Sequence, residues 1–191
     1  NVPAGIDHGQ TISLRGQGDA GANGGIVTYK NGQTKAIKMP KTAKELRPLL
    51  EYHKENGNPI IFIEKLSVRP DDVSAGADGN INMGKMFRIQ KMMQNFEQLK
   101  AVIDTTEIPY VQVHPMKWQN GLKLRIKGEE KKDRKKRYKD VAQTFYPSIK
   151  ATMWNCDALL ILHFARKVFV NDIKWVKQQL PDYTHQTLFE V

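Results

Sequence analysis

Cysteine is nearly absent from this chain of 191 residues, in which Cys156 is the single example. One cysteine excludes an internal disulfide framework and a cysteine-rich zinc site. The chain also lacks any run of about 18 or more apolar residues, so the sequence predicts no membrane span. It lacks the N-terminal basic and then apolar pattern of a signal peptide. These absences together predict a reducing, cytoplasmic setting.

Acidic residues are in deficit, with 20 Asp and Glu against 30 Lys and Arg and a net charge of +10. Such an excess of positive charge predicts a polyanionic partner. Nucleic acid is favoured over a membrane surface, because the sequence carries no evident amphipathic anchor. Apolar residues make up 40% of the chain, which is enough for the core of one domain.

The spacing of apolar residues predicts an alternation of strands and helices from residue 26 onward. Asn31-Gly32 is a type I′ hairpin signal, and Thr42 with Glu45 forms a capping box at the start of a helix. The predicted elements are strands over 26–30 and 34–39, a helix over 43–55, a strand over 60–64, a helix over 83–103, a strand over 109–113, a helix ending at 145, and a helix over 156–167. This order predicts an α/β domain with a mixed sheet.

Residues 67–82 and the helix that follows them are candidates for contact with partners. Residues 67–82 carry Pro, Gly, Asp and Asn at loop density, which predicts a long exposed loop of the kind that is often functional. The apolar stripe of the 83–103 helix is broad, so that helix is interpreted as a core helix, with a homodimer interface as the alternative.

Residues 123–139 form the main charge run, with ten Lys or Arg and three acidic residues. Such a run is usually a solvated helix face or a mobile loop. In a protein of this net charge it is also the best candidate for contact with phosphates. The predicted nucleic-acid-binding residues are Lys123, Arg125, Lys127, Lys131, Lys132, Arg134, Lys135, Lys136 and Arg137.

Three acidic residues stand out by their position at the end or the start of an element or turn. Glu64 ends a buried strand, Asp157 lies at the apolar start of a helix, and Asp19 opens a glycine-rich turn. Taken alone, Glu64 fits a solvated strand end that pairs with Lys65. Carboxylates that are forced together repel, however, and such a cluster is stable chiefly around a divalent cation. Two Mg²⁺ ions about 4 Å apart are a standard device for phosphodiester cleavage.

Four stretches carry a resemblance to a known family: DAGANGGIV at 19–27, IFIEKL at 61–66, VHPMKWQNGL at 113–122 and CDALLILHFARK at 156–167. In this order and spacing, the chain from residue 19 to residue 168 resembles the RuvC-like branch of the RNase H-like nucleases, and above all the phage and poxvirus-type Holliday junction resolvases. The resemblance implies an RNase H-like mixed sheet flanked by helices. It also implies a homodimeric endonuclease that uses Mg²⁺ or Mn²⁺ to cut branched DNA in a bacterial or phage-infected cell.

The resemblance assigns the metal ligands to Asp19, Glu64 and Asp157, and a further catalytic role to Lys117, which follows the fifth strand. The chain departs from the family at Trp154, where an additional acid or histidine is usual and where Asn155 is the nearest polar residue. This departure favours an alternative, an RNase H-like module that binds nucleic acid without cutting it.

The first 25 residues resemble a piece of the peptide-binding C-terminal region of J-domain co-chaperones, which suggests a co-chaperone-related fragment as a further hypothesis. The family also expects a buried apolar strand before its first acid, and residues 14–18 do not fit that pattern. The predicted organisation is therefore an N-terminal segment over 1–18, whose origin is left open, and a nuclease domain over 19–191. Asp7, in a GIDHG motif, is the rival of Asp19 for the first metal ligand.

Overall fold

A mixed five-stranded sheet organises the protein, and a computed structural model describes it over residues 10–15, 24–66, 68 and 82–180. The strands are β1 Thr11–Arg15, β2 Gly25–Lys30, β3 Gln33–Lys38, β4 Ile60–Glu64 and β5 Tyr110–Val113. The helices are α1 Ala43–Glu55, α2 Met83–Thr106, α3 Pro115–Gly121, α4 Lys131–Phe145, α5 Cys156–Asn171 and α6 Ile173–Gln179.

The strand order is β3-β2-β1-β4-β5. β2 runs antiparallel to both β1 and β3, whereas β4 is parallel to both β1 and β5. One apolar cluster joins one face of the sheet to α1 and α2, and a second cluster joins the other face to α3, α4, α5 and α6. The predicted α/β fold, a mixed sheet flanked by helices, is confirmed.

The central strand β1 lies within residues 1–18, which were predicted to form a separate N-terminal segment. Ile12 and Leu14 are fully buried on the face that α1 and α2 cover. Ser13 points to the other face, where its hydroxyl donates a hydrogen bond to the Ala158 carbonyl oxygen at 2.6 Å. Two buried apolar residues in alternation are a weak signal, and pairing with β2 on one side and β4 on the other makes them a strand.

Local signals predicted several boundaries correctly. Asn31 and Gly32 have φ angles of 49° and 77°, as the type I′ turn requires. Thr42 Oγ1 accepts a hydrogen bond from the Glu45 backbone N–H at 3.3 Å, so Thr42 caps α1 as predicted. The Glu45 carboxylate accepts from the Lys41 backbone N–H instead of from the cap residue.

His163 shows how α4 and α5 pack together. Its ring stacks on Phe145 with centroids 3.9 Å apart. Burial lowers the pKa of His163 to about 4, and the nearby positive charges of Arg166 and Lys167 contribute to the shift. The imidazole is therefore neutral near pH 7 and serves as a packing group.

The predicted loop over 67–82 lies outside the described residues, except for residues 68 and 82. α2 begins at Met83 as predicted and runs three residues beyond 103, to Thr106. Within the ranges that the structure describes, no helix combines the length and the apolar character needed to cross a membrane.

Candidate active site

Glu64 lies at the edge of the sheet where the parallel strands end. In the parallel register Leu14 of β1 is the partner of Ile63, and Glu64 is the partner of Val113 at the end of β5. The carboxyl ends of β1, β4 and β5 therefore meet at this edge, which is where α/β proteins commonly bind ligands.

The Glu64 carboxylate is buried, with 8% of the residue exposed. Its Oε1 accepts a hydrogen bond from the indole Nε1 of Trp118 in α3 at 3.2 Å. Trp118 in turn meets Tyr138 of α4 edge to face, with ring centroids 5.5 Å apart. The reading of Glu64 as a solvated strand end is therefore wrong, because α3 covers the side chain.

Asp157 is the second buried acid, with 3% of the residue exposed. It lies in the first turn of α5, where the partial positive charge of the helix terminus stabilises a carboxylate. Its Oδ2 accepts a hydrogen bond from the ammonium of Lys135 in α4, and its Oδ1 is 3.5 Å from the Cys156 sulfur. Asp157 thus has a cationic partner, whereas the hydrogen bond from Trp118 to Glu64 comes from a neutral group.

Several contacts bring the two acids to the same edge and the same face of the sheet. The Ser13 bond to Ala158 holds the start of α5 against β1. Gly25 is the partner of Arg15 at the end of β1, and it lies against the backbone of Trp154 just before α5. α4 contacts both sides of the site, through Lys135 and through Tyr138 one turn later. We call this cluster of Glu64, Trp118, Lys135 and Asp157 the Glu64–Asp157 site.

Gly25→Ala should displace the start of α5, because an added Cβ would lie 2.7 Å from the Trp154 carbonyl oxygen. This contact is with backbone, so the helix start must move, and we expect a loss of about 1–3 kcal/mol in the free energy of unfolding. Urea unfolding measures it. Gly84→Ala is the control, since the nearest atom to its added Cβ is Asn82 Oδ1 at 3.4 Å. Equal stability of the two variants would show that Gly25 is not needed for this approach.

Lys117, the predicted catalytic lysine, lies on a different side of α3. Its ammonium is 4.8 Å from the centre of the Trp175 ring and 3.9 Å from Asp172 Oδ2. It lines a groove of about 730 Å³ between α3 and α5. Neighbouring residues of a helix point about 100° apart, and it is Trp118 that faces Glu64. Lys135, in contrast, contacts Asp157.

The donor set suits a hard cation only in part. Glu64 and Asp157 offer carboxylate oxygens, which Mg²⁺ and Mn²⁺ prefer. Asn155 is used structurally, since its side chain accepts from the Thr152 N–H at 2.7 Å and donates to the Lys150 carbonyl at 3.1 Å. No group of three or more His, Cys, Asp or Glu side chains suited to a metal occurs in the described ranges. The rival first ligands Asp19 and Asp7 lie outside those ranges.

The basic run divides into paired and exposed residues. Arg137 donates to both carboxylate oxygens of Glu129, at 2.6 and 2.7 Å, and to the Leu124 carbonyl. These hydrogen bonds lower the pKa of Glu129 and anchor the segment before α4. Arg134 and Lys135 are half-buried. The exposed members of the run are Lys123, Arg125, Lys127, Lys131, Lys132 and Lys136.

Sequence reasoning missed the contacts that Trp118 and Lys135 make at the site. A signal for Lys135 existed in the spacing of α4, because Tyr138 and Ala142 are its buried residues and Lys135 lies one turn before Tyr138. That spacing places Lys135 on the inner side of the helix. Its charged neighbours in the run concealed the pattern.

Comparison with known proteins finds similarity in structure only. No family model matches the chain, and no curated protein matches its sequence. Thermus thermophilus RuvC in complex with a Holliday junction substrate is similar, with a TM-score of 0.49, 10% identity, and coverage of 85% of this chain and 96% of that one. A further Thermus thermophilus RuvC structure has a TM-score of 0.46, 12% identity, and coverage of 84% and 96%. Similarity of this size assigns no role to any residue of this chain.

Proposed function

We propose that this chain is a divalent-metal-dependent endonuclease that cleaves branched DNA such as a four-way junction. The observation that supports the proposal is the pair of buried carboxylates, Glu64 and Asp157, at one edge and on one face of the sheet. Two such carboxylates repel each other in a region of low dielectric constant. A binding site for a cation explains why the fold retains both beside a basic helix.

The residues of the site have distinct tasks in this proposal. Glu64 and Asp157 hold the metal, with Asp19 as the proposed third ligand and Asp7 as its rival. The Trp118 indole orients Glu64 through its hydrogen bond, and the start of α5 stabilises the charge of Asp157. The chemistry that Mg²⁺ or Mn²⁺ supplies at such carboxylates is activation of water and neutralisation of the leaving oxygen. Lys117 would have to leave Asp172 before it could contact a phosphate of the DNA.

The test is incubation of the chain with a four-way junction, with Mg²⁺ and with a chelator, beside a linear duplex of the same sequence. We expect cleavage of the junction only when Mg²⁺ is present. Tight junction binding without cleavage in either condition would favour the alternative, a module that binds nucleic acid without cutting it. That alternative draws support from Trp154, which stands where the resemblance expects a further acid or histidine.

A homodimer is part of the proposal, with the first half of α2 as the contact surface. Met83 and Phe87 are exposed there, although both are large and apolar. The buried residues of α2 begin only at Phe96, so its first three turns contribute little to the core. Met83 and Phe87 are four positions apart and therefore lie on the same face of the helix, which makes that face a candidate interaction surface. Sedimentation equilibrium should give the mass of two chains.

A further inference from the structure

We propose that Lys135 is the internal counter-ion of Asp157 in the metal-free protein, and that a divalent cation binds at Asp157 by displacing the Lys135 ammonium. The inference rests on the proposed function only in taking Asp157 as a cation ligand. It adds a residue to the site and a step of ion exchange to its loading with metal.

The Asp157 carboxylate already has partners in the metal-free protein. Both carboxylate oxygens are engaged, Oδ2 by the Lys135 ammonium and Oδ1 by contact with the Cys156 sulfur. Thiols are weak donors, so the ammonium provides the main compensation for the charge among these contacts. Asp157 is 3% exposed, and water therefore cannot solvate it well.

The ion pair of Lys135 and Asp157 is largely shielded from solvent. A buried carboxylate that loses a cationic partner is destabilised, so the Lys135 ammonium stabilises the metal-free fold. Two cations at the same oxygen repel each other, and a metal ion at Asp157 Oδ2 excludes the ammonium from its present position. A metal ion must therefore displace the Lys135 ammonium before it can bind the Asp157 carboxylate.

The exchange requires that the Lys135 side chain can move away from Asp157. The Lys135 side chain is 22% exposed, and lysine is a flexible chain with a compact, strongly hydrated charge. A change of rotamer that turns the ammonium toward solvent would free Asp157 Oδ2. Arg137 on the same helix could not turn toward solvent as easily, since it donates to Glu129 with two hydrogen bonds and to Leu124 with another.

The experiment compares Mn²⁺ binding, without DNA, to the parent chain, Lys135→Met and Lys136→Met by titration calorimetry. Lys136 is exposed on the same helix, so its variant loses the same charge from the same region. We expect Lys135→Met to bind Mn²⁺ at least about tenfold more tightly than the parent, because no ammonium competes. Lys136→Met should remain within about twofold of the parent, because long-range screening leaves little effect of an exposed charge.

Thermal unfolding without metal supplies an independent readout. Lys135→Met should melt at a lower temperature than both other proteins and should regain most of the difference when Mn²⁺ is added. If Lys135→Met is unfolded without metal, circular dichroism should show it refolding on addition of Mn²⁺. Failure of Mn²⁺ to restore either the melting temperature or the fold would overturn the exchange.

The outcomes separate this inference from the proposed function. Equal Mn²⁺ affinity of all three proteins would overturn the exchange and leave the metal site standing. Absence of Mn²⁺ binding in all three would refute the metal site and the exchange together. Equal tightening in Lys135→Met and Lys136→Met would show a general effect of net charge, and that result too would overturn the specific role of Lys135.

Discussion

Glu64→Gln should lower the rate of junction cleavage by about 10³-fold or more, while junction binding stays intact or becomes tighter. Glutamine keeps the shape of the side chain and removes the charge that a metal ligand needs. Its carbonyl oxygen can still accept the hydrogen bond that Trp118 now donates to Oε1 at 3.2 Å, so the fold should persist. Single-turnover cleavage with Mg²⁺ and gel-shift binding without metal measure the two effects.

Asp133→Asn is the matched control, because Asp133 is an exposed acid in the first turn of α4 and its variant changes the charge by the same amount. Its cleavage rate should equal that of the parent. Parent-like cleavage by Glu64→Gln would refute the assignment of Glu64 to the metal site. Asp19→Asn and Asp7→Asn in the same assay decide between the two rival acids, and we expect the loss in Asp19→Asn.

Junction binding should depend steeply on salt, falling about 10³-fold between 50 and 200 mM if about six phosphate contacts form. A triple variant with alanine at Arg125, Lys127 and Lys132 should lower the slope of log K against log salt by about one unit for each lost contact. These residues are exposed. Lys135 and Arg137 are left unchanged, because they pair with Asp157 and Glu129 and their loss would disturb the fold. Fluorescence anisotropy at several salt concentrations gives the slopes.

The control triple variant carries alanine at Lys41, Lys44 and Lys91, which are exposed on the side of the sheet that α1 and α2 cover. It loses the same charge as the first triple variant, and its slope should match that of the parent. An unchanged slope in the first triple variant would show that the exposed residues of the charge run do not contact DNA phosphates. An equal decrease in both would indicate an effect of net charge instead of local contact.

Helices, strands and turns that depend on interactions between residues a few positions apart were predictable from the sequence. The turn-forming residues Asn-Gly-Asn-Pro at 56–59 and the β-branched run after them predict β4 with its final Glu64. Helix α1 begins and ends at the predicted residues. The caps and the turn at Asn31-Gly32 follow from backbone geometry and from hydrogen bonds across three or four positions. Residue propensities and the periodicity of apolar residues involve only neighbouring positions, so they can be recognised in the sequence.

Local patterns were thus sufficient to predict the α/β order of the elements and the two acids at the ends of their elements, and the composition gives the net positive charge. The central position of Thr11–Arg15 in the sheet and the contact of Lys135 with Asp157 became apparent only in the folded protein. Both features depend on partners that are distant in the chain: Ser13 and Ala158 are 145 positions apart, and Lys135 and Asp157 are 22 apart. The spacing of residues in the sequence does not reveal such pairs. They form only when elements that are distant in the chain pack against each other in the folded protein.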